Sequence, residues 1–183
     1  MFQTDIKRLA PVAMAGGLAT LLSFGAEAFD VKAIGSVTAT IDEASYEGET
    51  LLVSDDQSAT ATFRSFGPVN QISIQAHAKA NENKTQNILN IEFSVMGKGA
   101  AATVTNASVS WWPEGMNGEF FVAGDEGGTA RVTLETFVLD ASPNASGTFE
   151  AEVCAKESFS AEADLAKCLP IKGTFQTSLA EGK

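Results

Sequence analysis

The chain has 183 residues, with 12 Lys and Arg against 23 Asp and Glu, a single His and two Cys. A net charge of −11, with no basic cluster to offset it, repels phosphate backbones and anionic lipid, which excludes nucleic acid as an expected partner. One His cannot build a multi-histidine metal centre, and the two Cys are too far apart for a Cys-x-x-Cys redox motif.

The first element in chain order is a signal for export. Lys7 and Arg8 supply a positive start, and Leu9 to Gly25 is uncharged and rich in Ala, Leu and Val. Ala26-Glu27-Ala28 then sets small side chains where a signal peptidase needs them, so residues 1–28 are expected to be a cleaved signal peptide. The apolar run is about 17 residues, short for a spanning helix, and Pro11, Gly16 and Gly17 weaken it further. No Cys stands at the cleavage site for a lipid anchor, and Lys7-Arg8 is not a twin-arginine pair. Residues 29–183 then form one expected domain, periplasmic or secreted, with no membrane span after cleavage. The signal carries two bases and two acids, so the mature domain keeps the full negative charge. Dispersed acid of this kind reads first as a solubility device.

From Phe29 onward the pattern is short period-two alternation broken by Gly, Asn, Asp and Pro, which predicts an all-β fold. Val37, Ala39 and Ile41 alternate with Ser36, Thr38 and Thr40. Leu51 to Val53 is a short apolar run, and Ala59, Ala61 and Phe63 share a face beyond it. Ile72, Ile74, Ala76 and Ala78 oppose Ser73, Gln75 and His77, which places His77 on a polar face as a solvated surface side chain. Lys79 to Asn87 reads as a hairpin loop leading to Leu89, Ile91, Phe93 and Val95. Further strands are expected near 102–112, 118–124, 129–139, 147–154 and 168–179. Ser160 to Lys167 is the best short helix candidate, with Ser160 able to cap it. In the strand from Thr129, Val132 and Leu134 share one phase while Phe137 and Leu139 share the other, the signature of a β-bulge. Nine or ten such strands predict an antiparallel β-sandwich, with a small closed β-barrel as the alternative. A transmembrane barrel is disfavoured, because the outward positions are Ser, Thr, Gln and Glu and there is one Tyr for an aromatic girdle.

Candidate chemistry is sparse. Asp55-Asp56 and Asp125-Glu126 sit in turns, but neither has the residue spacing of a calcium loop, and Asp and Gly are ordinary turn residues. Asn83, Asn106 and Asn144 open N-glycosylation triplets that matter only in a eukaryotic source. Gly-x-Ser-x-Gly is absent, and paired carboxylates for hydrolysis have no local signature. No cofactor and no metal site are expected. The most suggestive segment is Ser108 to Val122, a hairpin with Trp111 and Trp112 at one end and Phe120 and Phe121 entering the return strand. Neighbours on a strand face opposite sides, so Trp112 and one Phe are candidates for an exposed aromatic platform, with Met116 at the turn. The competing expectation is a satellite core, with Phe159 or Leu165 folding over the platform.

Cys154 and Cys168 are expected to pair in an exported domain. Phe149, Ala151 and Val153 take one face of their strand and leave Cys154 on the other, while Leu169, Ile171 and Phe175 leave Cys168 likewise on the polar side. Setting the two sulfurs opposite each other in antiparallel strands puts Glu150 across from Lys172, Phe149 across from Gly173 and Phe175 across from Gly147. A ring over a bare glycine backbone is a known pairing device, and it gives the repeated Gly-Thr-Phe at 147–149 and 173–175 a packing reason. Pro170 then faces Glu152 and lacks an N–H only toward an expected edge.

The segments Val132-Thr133-Leu134, Phe137 to Asp140, Ser146 to Phe149 and Gly173-Thr174-Phe175 resemble small exported bacterial β-sandwich domains of uncharacterised function. The resemblance covers the C-terminal third, implies a sandwich-like fold and brings no activity with it. The sequence therefore points to an exported, non-enzymatic binding or structural domain that contacts a glycan or protein partner through its aromatic patch. The alternatives are a small barrel carrying an apolar ligand and a hydrolase with dispersed carboxylates.

Overall fold

The computed structural model describes residues 31–53, 58–97 and 102–182; the expected signal peptide at 1–28 and the Asp55-Asp56 turn lie outside them. The described residues hold twelve strands and no α-helix: β1 Val31–Ile41, β2 Ala44–Val53, β3 Ser58–Ala59, β4 Ala61–Phe66, β5 Val69–Ala78, β6 Ile88–Met96, β7 Thr103–Trp112, β8 Phe120–Ala123, β9 Thr129–Val138, β10 Asn144–Lys156, β11 Asp164–Ser178 and β12 Ala180–Glu181. One 3-10 turn at Gly115–Asn117 joins β7 to β8. All twelve belong to one sheet, antiparallel except where β12 runs parallel to β4. Two residue pairs link β2 to β5, so hydrogen-bonded neighbours run in a circuit through β1, β2, β5, β6, β7, β8, β10 and β11.

The sheet folds onto itself because most of its long strands have one apolar face. Ile72 and Ile74 of β5 and Ile91 and Phe93 of β6 meet Phe149 of β10 and Phe175 of β11 in one core. The Phe93 and Phe175 rings stand 6.0 Å apart across the interior, so two arms of the sheet pack face to face as in a sandwich. Only the Leu51–Val53 end of β2 showed in the apolar pattern, because the inward side of its earlier part is Tyr46, Gly48 and Thr50. The two polar side chains among them are satisfied by hydrogen bonds. The Tyr46 hydroxyl donates to the Ala76 carbonyl at 2.8 Å, and Thr50 and Thr177 share a buried hydroxyl hydrogen bond of 2.6 Å.

The expected C-terminal register is observed. Cys154 is bonded to Cys168, and the β10–β11 ladder pairs Glu150 with Lys172, Phe149 with Gly173, Gly147 with Phe175 and Glu152 with Pro170. A Cβ on Gly173 would lie 2.8 Å from the Phe149 ring, so that ring does cover the glycine. Gly147 differs: its nearest neighbours are the Thr133 carbonyl and Leu134 of β9. The ladder between β1 and β11 ends at Ile41 and Ile171, and the Pro170 carbonyl accepts from the Asp42 N–H, so the missing N–H faces no further strand pair. The bulge in β9 is at Glu135, the residue skipped between Thr136 opposite Ser146 and Leu134 opposite Gly147.

Two local expectations fail. Ser160 to Lys167 is not helical: it is a turn followed by the start of β11 at Asp164. Ala155 pairs with Asp164 while Cys154 pairs with Cys168, so Leu165 to Lys167 bulge out of the ladder, and the disulfide and this pairing override the weak helical pattern. His77 is not solvated: it is 9% exposed, because the 79–87 loop folds back over its face and the Lys84 carbonyl meets its Nδ1.

Candidate functional site

The outward face of the sheet carries one rung whose side chains break the polar pattern. Across β2, β5, β6, β7, β8 and β10 it runs Glu49, His77, Ile88, Trp112, Phe120 and Lys156. Ile88 and Phe120 are buried yet stand outside the main core, as do Val122 and Cys154 on the next rung. These residues form a second, smaller apolar cluster on the side away from the core.

Its construction follows from the β7–β8 hairpin. Trp111 lies opposite Phe121 and the two stack inward with centroids 5.3 Å apart, while the Trp111 Nε1–H donates to Asn87 Oδ1 at 2.8 Å. One residue along, the phase reverses. Trp112 and Phe120 stack outward, nearly parallel, at 4.2 Å, and the Trp112 Nε1–H donates to Ser110 Oγ at 2.9 Å. The five residues singled out by sequence are thus divided. Trp112 and Phe120 share the outer face, Trp111 and Phe121 are half-buried against the main core, and Met116 is 74% exposed on the turn, apart from both stacks.

Phe159, in the loop between β10 and β11, closes over the outer pair at 5.4 Å from Trp112 and 5.3 Å from Phe120. Phe120 keeps only 3% of its surface, but Phe159 remains 63% exposed. The expected satellite core is what forms over Trp112 and Phe120, and the exposed ring is its cover, Phe159. Beside them runs a groove of about 350 Å³, lined by Asn90 and Glu92 of β6, Ser108 and Ser110 of β7, and the Asp125-Glu126 turn. Ser73 Oγ lies 3.4 Å from Glu92 Oε1. Lys156 borders the cluster as a buried cation whose Nζ donates to Glu126 Oε2. The pair is one-sided: the Lys156 side chain is covered, while the Glu126 carboxylate that receives it stands mostly in solvent.

Sequence reasoning named Phe159 as a cover and Asp125-Glu126 as clustered carboxylates in a turn, but missed Lys156, the cation that meets them. The β10 alternation does carry the signal, since Glu150, Glu152, Cys154 and Lys156 share the outward phase. What it lacks is the loop that buries the last of them. The described residues contain no group of three or more His, Cys, Asp or Glu placed to hold a metal ion. No family model matches the chain, and no curated protein or solved structure matches it.

Proposed function

We propose that the chain is an exported, non-enzymatic binding domain whose contact surface is the outer side of β7 and β8. The observation that carries this reading is Phe159, a large ring left 63% exposed while it caps the Trp112–Phe120 stack and lines a groove of mixed polar and apolar side chains. Aromatic anchors in a cleft with a few convergent polar groups are the composition of binding sites, and isolated surface rings without such a groove are not. Export is supported by the Cys154–Cys168 bond, since structural disulfides persist in oxidising compartments. No helix among the described residues is long and apolar enough to cross a membrane. The contact of Phe93 with Phe175 across the interior favours a surface site over an internal apolar carrier site.

Tryptophan fluorescence tests the surface. Trp112 emission should respond to glycans or a protein partner and stay silent to lipids. Phe159→Ser should weaken the response by about tenfold or more, the usual scale of an aromatic anchor. Binding that is indifferent to both Phe159→Ser and Trp112→Ala would end this reading.

A further inference from the structure

The chemistry of the groove selects among partners. Trp112 and Phe120 spend one face each on the other at 4.2 Å, and Phe159 lies across them, so no broad flat ring face is left for a sugar. What remains open is the outer side of one phenylalanine. The groove's ionisable lining is acidic: Glu92, Asp125 and Glu126. Lys156, the cation on the flanking strand, is buried and held by Glu126, so among the described residues no ion pair reaches the carboxylates of Glu92 and Asp125. The Ser110 hydroxyl is taken up by the Trp112 N–H, while Asn90, Asn106 and Ser108 also line the groove. The volume, about 350 Å³, is at the low end for ligand sites and suits one or two side chains of an extended segment.

We infer that this groove receives an arginine-bearing segment of another protein, with its guanidinium groups on the carboxylates of Glu92 and Asp125 and its chain laid across Phe159. The inference rests on the contact surface proposed above and assigns the partner's chemistry. A guanidinium meets both features of the site, because it pairs with a carboxylate by charged hydrogen bonds and stacks on an aromatic face. The chain's net charge of −11 draws such a partner in from a distance.

The purified protein is titrated with a short peptide carrying three arginines, with the same peptide carrying neutral citrulline in their place, and with a neutral tetrasaccharide. The arginine peptide should bind about tenfold or more tightly than the citrulline peptide, and added salt should weaken it. The double variant Glu92→Gln/Asp125→Asn should lose about tenfold to a hundredfold, with an unchanged melting profile as the fold control. Equal binding of the two peptides, an unaffected double variant, or no arginine-peptide binding at millimolar concentration overturns the inference. If the tetrasaccharide binds instead and Phe159→Ser abolishes it, the cationic partner is wrong while the contact surface stands. If no ligand's binding depends on Phe159, both fall together.

Discussion

Tyr46 is the chain's one phenol, and its hydroxyl donates to the Ala76 carbonyl at 2.8 Å and lies 3.3 Å from that of Asn87. Burial pushes its pKa well above the ordinary value, against a smaller lowering by the backbone hydrogen bond with Leu89. The proton is therefore held more tightly in the folded chain than in the unfolded one. Stability is complete below the unfolded pKa of about 10 and falls by up to about 1.4 kcal/mol per pH unit above it, until the folded phenol ionises. Tyr46→Phe should cost about 1 kcal/mol at neutral pH and remove this share of the alkaline loss. Chemical denaturation of both proteins across the alkaline range checks it, and parallel pH curves would contradict it. His77 shows what a residue-scale reading of sequence cannot supply. Its phase on β5 places it outward beside Gln75, as the alternation says, but burial comes from Lys84, seven residues away in a loop without periodicity.

Among elements, β10 and β11 were legible because three constraints coincide: two Cys on the same face, one opposite-charge pair, and a Phe facing a Gly in each direction. β2 was not legible over 44–50, since Tyr46, Gly48 and Thr50 face inward where a strand pattern needs Val or Ile. The aromatic site lies between these cases. The opposite facings of Trp111 and Trp112 follow from strand geometry alone, but the partner of each depends on the β7–β8 register, which the 3-10 turn at Gly115–Asn117 sets. The disulfide closes the loop that carries Phe159, so the staple and the cap over Trp112 are mechanically one element. Replacing both Cys154 and Cys168 by Ala should cost about 3 kcal/mol in the chain-entropy account. It should also raise the access of a neutral quencher to Trp112, measured in a background where Trp111 is Phe. Unchanged quenching would show that Phe159 is held down by packing alone.

At the scale of the molecule, the acids lie across the surface of a sheet whose interior is apolar, so their mutual repulsion acts on the compact state. Screening it with moderate salt should raise the thermal midpoint by about 2–4 °C for roughly 1 kcal/mol of relief, checked by calorimetry at low and moderate ionic strength. A midpoint that falls with salt would mean that ion pairs such as Lys156–Glu126 outweigh the repulsion. The sequence-level expectation of an all-β fold holds at this scale because alternation reports each strand's two faces. The circuit of neighbours was not legible, since it depends on the short link from Gly48 and Glu49 to Ala78 and His77. One pairing in that circuit also governs timing. β1 lies between β2 and β11, with Gly35 beside Thr177, so its second flank is occupied by a strand far away in sequence. Closing the sheet therefore waits on a contact of long sequence separation, the kind that is slow to form.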